Sequence, residues 1–151
     1  MKLALAALMI ALTAQAEPNN TFFLKYGKAY DIPPQLLWGI AKAESNLDPY
    51  AVNKNTNGTY DLGLMQINTI HLPMLKKNGI MARDLFNPET SIAVGAYILS
   101  QCFDKHGRNW KGLTCYNGRI EGNDYAKKVL RGILTELKTS KKKEEYALLS
   151  H

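Results

Sequence analysis

The sequence predicts an α+β fold that is mostly helical, a single domain with a small β-hairpin set into it. Three observations lead there. Apolar residues recur at helical spacing in several segments opened by Pro or Asn. One stretch, residues 47 to 62, loses that periodicity and becomes rich in Asn, Thr and Gly. The chain also carries no internal repeat and no linker.

The first sixteen residues stand apart from the fold. Lys2, the apolar run Leu3 to Leu12 and Ala14-Gln15-Ala16 have the three regions of a secretory signal peptide, with cleavage expected before Glu17. The run is far short of the roughly 20 apolar residues that span a bilayer, and no cysteine follows it to carry a lipid. Export to the periplasm is therefore expected, with no membrane span after cleavage. Residues 17 to 137 then read as the domain and residues 138 to 151 as a basic, flexible tail.

Within the domain, Thr21 to Tyr30 carries Phe22, Phe23, Tyr26 and Tyr30 at helical spacing, an aromatic stripe for the core. A second helix opens at Pro33-Pro34, whose fixed φ suits a first turn, and repeats Leu37, Ile40 and Ala41 on one face. Extending that face lands on Glu44, so a carboxylate sits on the buried side just before Asp48-Pro49 turns the chain away. Asn57-Gly58 then signals a type I′ hairpin, pairing Thr56 with Thr59 and Lys54 with Asp61. Alternation puts Thr59 and Asp61 on one face and Tyr60 and Leu62 on the other, with no larger sheet expected. Short helical segments follow around Leu64 to Leu75 and Met81 to Leu85. At Asn87-Pro88 a long helix begins, capped by Asn87, with Ile92, Gly95, Ala96, Leu99, Cys102 and Phe103 inward; His106-Gly107 ends it. A shorter helix covers Asn109 to Tyr116. The last runs from Asp124 to Leu137 on a face of Val129, Leu130, Ile133, Leu134 and Leu137.

Charge and composition remove several functions. The formal net charge is +6, with lysines gathered late at Lys138, Lys141, Lys142 and Lys143. Such a run is ordinarily a solvated tail, and it also favours a polyanionic neighbour. Nucleic acid is not expected, because no basic stripe is interleaved with aromatics. In an oxidising compartment Cys102 and Cys115 are expected to pair, closing a loop whose constraint contributes on the order of 3 kcal/mol; two buried free thiols are the alternative. His71, His106 and His151 lack ligand spacing, and no phosphate loop, dinucleotide fingerprint or nucleophile elbow occurs, so neither metal nor cofactor is expected.

Two carboxylates remain as chemical candidates, Glu44 and Asp61. Burial on an apolar face and the negative end of a helix dipole both disfavour a charged Glu44 and raise its pKa. Glycoside cleavage needs such an acid, protonated near neutral pH, together with a group that stabilises the oxocarbenium-like centre. Glu44 also has a plain structural reading, as a helix cap or a partner of Lys25, Lys28 or Lys42.

The surrounding residues bear on that choice. Glu44-Ser45, an Asn/Thr/Gly hairpin, Gly63-Leu64-Met65-Gln66 and, much later, Tyr116-Asn117 occur in an order that resembles the soluble lytic transglycosylases. The likeness covers roughly residues 21 to 135. It implies a lysozyme-like fold and an enzyme that cleaves the MurNAc to GlcNAc bond of peptidoglycan glycan strands, leaving a 1,6-anhydro end. It marks Glu44 as the acid, Ser45 as ordering the site, Met65 and Gln66 as groove residues and Tyr116 and Asn117 as the Tyr-Asn pair beside it. Gln66 would offer donor and acceptor to the sugar. Tyr125 is a further groove candidate; Met65 reads equally as core and Tyr125 as a helix-packing aromatic.

There are two departures from the family pattern. Asp61 adds a second carboxylate, and Glu44-Ser45-Asn46, Asn53, Asn55-Thr56, Gly58, Asp61, Gly63 and Gln66-Ile67-Asn68 also resemble animal-type lysozyme, in which a second carboxylate is nucleophile or stabiliser. This mixed pattern resembles the specialised enzymes that accompany type III and type IV secretion, conjugation and type IV pilus machines. The other departure is Cys115, where the family more often has alanine. The expectation is a monomeric transglycosylase. Lysozyme-like hydrolysis is the second reading, and a non-catalytic wall-binding or secretion-scaffold protein is a third.

Overall fold

A computed structural model describes residues 18–119 and 124–149. The expected signal peptide lies outside the described residues. Helix α1 (Pro18–Tyr30) and helix α2 (Pro34–Ser45) are followed by three short strands, β1 (Val52–Lys54), β2 (Tyr60–Leu62) and β3 (Ile67–Asn68). A 3-10 turn at Thr69–His71 leads into α3 (Leu72–Lys77), and a second at Ala82–Phe86 into α4 (Pro88–His106). Helices α5 (Trp110–Tyr116) and α6 (Tyr125–Leu149) complete the order. The mostly helical α+β class is the one expected.

Local chemistry accounts for the element starts. Pro34 occupies the first turn of α2, where a missing N–H leaves no bond unmade. The Asn87 side chain caps α4 by accepting from the Thr90 N–H, and Asn109 caps α5 by accepting from Lys111 and Gly112. The long helix α4 is central, packing on α1 and α5 and reaching α2 and β3. Leu37 and Ile40 of α2, Leu64 and Ile67 of the sheet region, Ile92 and Leu99 of α4 and Val129 of α6 fill the space between them, each almost wholly removed from water. Each such side chain contributes about 1.5–3 kcal/mol relative to exposure. The disulfide joins Cys102 of α4 to Cys115 of α5.

The hairpin differs from the expected register by one residue. Asn53 faces Asp61, Lys54 faces Tyr60 and the Asn55 N–H bonds Thr59 O, so the loop holds three residues, Thr56 to Gly58, in place of two. A type I′ turn needs positive φ at both central positions, yet of Asn57 and Gly58 only Gly58 is left-handed, at φ 82. The Asn57 side chain instead accepts from the backbone N–H and the hydroxyl of Thr59, an Asx turn that fixes the local chain without a left-handed Asn. The Gly58 N–H bonds Asn55 O, and the left-handed glycine forms the bulge typical of three-residue loops. The sheet is also larger than expected: β3 pairs antiparallel with β2, setting Asp61 opposite Asn68.

Helix α6 runs past its expected end at Leu137 to Leu149. Leu130, Leu134 and Leu137, expected inward, are each more than half exposed, so the packed face is narrower and is carried by Tyr125, Val129 and Ile133. The later turns, with every side chain from Lys141 to Leu149 exposed, follow from the strong helix propensity of Lys, Glu and Leu and from Lys141 and Glu145 at i,i+4 spacing.

Two glycines set close approaches. A Cβ on Gly39 would come within 2.5 Å of the Ile133 side chain, so Gly39 lets α6 lie directly on α2. Gly63 has φ 75, and a Cβ there would sit 2.0 Å from the Leu85 carbonyl oxygen. Gly63→Ala combines left-handed strain with a backbone clash and is expected to cost about 3 kcal/mol or more. Gly58→Ala, equally left-handed but with open space around it, should cost about 1 kcal/mol, and urea titration of both variants measures the difference.

Candidate active site

A groove of about 670 Å³ runs between the end of α2, the three-stranded sheet and the end of α5. Glu44, Asp61, Gln66, Tyr116 and Asn117 line it, so residues distant in sequence meet on one surface.

Glu44 lies in the last turn of α2, half-buried. The hydroxyl of Tyr125, at the start of α6, donates to its Oε1 at 2.6 Å; Oε2 has no hydrogen-bond partner among the described residues. Lys25, one of the cations considered for it, pairs with Glu89. Burial raises the Glu44 pKa, and the charge of Asp61 pushes in the same direction; the Tyr125 hydrogen bond and the charge of Lys128 oppose them, and the rise prevails. Burial is also the leading cause of the raised pKa values of Tyr116 and Tyr125, which keeps both phenols as neutral donors.

Asp61 is clamped by amides. Asn68 Nδ2 donates to its Oδ1 at 2.7 Å and Asn55 Nδ2 to its Oδ2 at 3.0 Å, while both amides also reach Thr59 Oγ1. The pairing of β2 with β3 makes this clamp, because it brings Asn68 directly across from Asp61. Each carboxylate oxygen is therefore held in a fixed direction at the groove wall.

The turn at Gly63 to Gln66 is tied from three sides. Ser45 Oγ donates to Leu64 O at 2.7 Å and to Ala41 O at 3.1 Å, the Met65 N–H donates to Ser91 Oγ, and Tyr116 Oη donates to Met65 O at 2.9 Å. Ser45, whose hydroxyl serves the protein in this way, orders the site and does not line the groove. Of the two places read for Met65, groove and core, its side chain takes the core and not the groove: it is fully buried, close against Gly95. Gln66 does line the groove, in a left-handed conformation with φ 50. Its amide donates to Ala51 O and Gly63 O and its Oε1 accepts from Asn53, so both of its donors face protein acceptors. One Oε1 lone pair is left for a ligand, not the donor and acceptor expected.

Tyr116 and Asn117 stand at the groove as the resemblance implied, and the disulfide immediately before them borders it. Tyr125 is buried and reaches the groove through its contact with Glu44. Several groove residues were given no place in the site by the sequence. Asn55 and Asn68 act only through strand register, His71 joins the wall through the turn after β3, and Arg119 follows the Tyr-Asn pair. Burial lowers the His71 pKa, so a neutral imidazole lines that wall. Among the described residues no three His, Cys, Asp or Glu side chains gather as a metal site, and no helix is long and apolar enough to cross a membrane.

Comparison with known proteins gives a consistent result. The invasion protein IagB of Salmonella typhimurium is 42% identical over 96 residues, 63% of this chain and 60% of that protein, so the match spans three fifths of the relative's length. A peptidoglycan-binding-like protein of Escherichia coli O157:H7 is 36% identical over 141 residues, 84% of each chain. Among solved structures, the 70 kDa soluble lytic transglycosylase Slt70 of Escherichia coli superposes with a TM-score of 0.56 at 27% identity, over 76% of this chain and 18% of that one. Residues 21–130, which contain both carboxylates, the Gly63 to Gln66 turn, the Tyr-Asn pair and Tyr125, match the Transglycosylase SLT domain, and the chain belongs to that family.

Proposed function

We propose that this protein is a peptidoglycan lytic transglycosylase with Glu44 as its single acid and base. The observation that carries the reading is Glu44 itself: a carboxyl group at a groove wall, raised in proton affinity by burial and held by Tyr125 through one oxygen, with the other oxygen without a partner among the described residues. Glu44 gives its proton to the glycosidic oxygen between MurNAc and GlcNAc as the C1–O bond breaks. The positive charge that develops at C1 is stabilised by nearby negative charge, a role that the clamping of Asp61 at the groove wall supports. The C6 hydroxyl of the same MurNAc then bonds to C1 and returns its proton to the Glu44 carboxylate. A 1,6-anhydro ring closes and Glu44 is ready for another turnover.

Membership of the family and a relative named for invasion support a second part of the reading, export to the periplasm and local opening of the wall for a secretion, conjugation or pilus machine. In domain terms, residues 17 to 137 would be the catalytic unit. One observation favours the alternative of lysozyme-like hydrolysis. Asp61 is fixed through both oxygens, as suits a group that meets the anomeric carbon directly.

Mass analysis of digested wall material separates the two chemistries: products one water lighter than reducing muropeptides are expected, and reducing ends would favour the hydrolase. Glu44→Gln should lower wall digestion by about 10²–10⁴-fold. Asp61→Asn should lose less, and equal losses would point to two essential carboxylates. Activity retained in Glu44→Gln would reject Glu44 as the acid, and a wild type that binds wall sacculi without digesting them would reject the enzyme reading altogether.

The raised pKa of Glu44 also predicts a stability change. Because its folded value lies above its unfolded value, the bound proton stabilises the fold below the ordinary carboxylate range, and this contribution is lost as pH rises through the folded value. Glu44→Gln should therefore melt above wild type by roughly a few degrees at pH 8, with the gain shrinking towards pH 4, as followed by calorimetry.

A further inference from the structure

Tyr125 is not the only residue of α6 that grips the end of α2. One turn further on, Lys128 Nζ donates to Ala43 O at 2.6 Å. That carbonyl is open for a definite reason. In a continuing helix the Leu47 N–H would bond Ala43, but Asn46 and Leu47 turn left-handed, with φ 55 and 67, and the Leu47 N–H bonds Ala41 O instead. Ala43 is thus left with an orphan carbonyl at the negative end of α2, in the residue immediately before Glu44, where a cation is the favourable partner.

We propose that Lys128 is a positioning residue for the acid: it ties the first turn of α6 to the carbonyl preceding Glu44 and holds a cation there. This rests on the reading of Glu44 as the acid and goes beyond it. The groups that face Glu44 are Asp61 from the sheet, Tyr116 from α5, and Tyr125 and Lys128 from α6, while His71 and Arg119 border the same groove. Both tyrosines stay neutral, so the local charge balance on Glu44 is set chiefly by Asp61, which favours its protonated form, and Lys128, which favours its carboxylate. A group that must release a proton and then take one back works best with a pKa near the operating pH. Lys128 acts against burial and Asp61, in the direction of easier proton release. The ammonium's place is in turn fixed by geometry, since Tyr125 and Lys128 sit one turn apart on α6 and bond consecutive residues of α2 in reverse order.

Lys128→Met keeps the aliphatic stem and removes the charge, whereas Lys128→Arg keeps the charge. Carbon-13 NMR titration of the Glu44 side-chain carboxyl, assigned by its absence in Glu44→Gln, reads the effect directly. The midpoint should rise by about 0.5 pH unit or more in Lys128→Met and stay near wild type in Lys128→Arg. The high-pH limb of the wall-digestion rate should move upward with it, because the donor then stays protonated to higher pH. An unmoved carboxyl midpoint in a Lys128→Met variant that melts like wild type would overturn the proposal whatever its activity. A moved midpoint with an unmoved rate profile would uphold Lys128's hold on Glu44 and overturn instead the assignment of Glu44 as the acid.

Discussion

The arrangement at the groove depends on the contact between the last turn of α2 and the first turn of α6. Glu44 is half withdrawn from water, and a carboxyl in that position needs a hydrogen-bonding partner. Tyr125 supplies it, but only because α6 lies close on α2, and that closeness requires a residue with no side chain at Gly39 under Ile133. Apolar packing along one helix face thus sets the distance at which two polar groups meet at its end. The two left-handed residues after Ser45 then turn the chain away before the helix can run on across the groove.

The opposite wall is built by a different device. Its three strands are too short to be stable alone, and they are secured by ties to helices: Ser45 of α2, Ser91 of α4 and Tyr116 of α5 all bond the turn from Leu64 to Met65. Gly63 permits that turn by passing against the Leu85 carbonyl where no side chain fits. The same turn leads into β3, so the helices that fix it also fix the register of Asn68 against Asp61. The two carboxylates therefore sit on separately braced walls, and the Cys102–Cys115 bridge fastens the end of α5 to the central helix.

Much of this was legible in the sequence because it depends on local chemistry. Asn87 as a cap, Pro34 as a first-turn residue and the step from Leu37 and Ile40 to Glu44 follow from periodicity and capping alone. The ordered motifs likewise marked Tyr116 and Asn117. What escaped depends on tertiary detail. The hairpin register turned on whether Asn57 would adopt a left-handed backbone or use its side chain, and both suit an Asn-Gly pair. The third strand has only two residues, below any periodic signal. Met65 and Gln66 carry the right motif, yet which way a side chain points in an irregular turn is decided by what packs behind it, here Gly95 and Asn53. Helix α6 outran its apolar face because propensity and spaced charges extend a helix without any core.

Glu44 shows why such tertiary contacts matter to the chemistry. Burial alone would make a carboxyl group that holds its proton too firmly to release it, and full exposure would make one that is ionised before substrate arrives. The role proposed for Glu44, first acid and then base within one cycle, needs influences that oppose one another. Burial and Asp61 act on one side, Tyr125 and Lys128 on the other, and each comes from a different part of the chain or a different physical origin. The C-terminal turn of α2 is where these influences converge, because a helix end offers at once an orphan carbonyl for a lysine, a directed side chain at the groove and a place where the backbone can turn away. A strand or a loop at the same position would satisfy fewer of these demands together, which is a physical reason for the proposed acid to stand at the end of a packed helix.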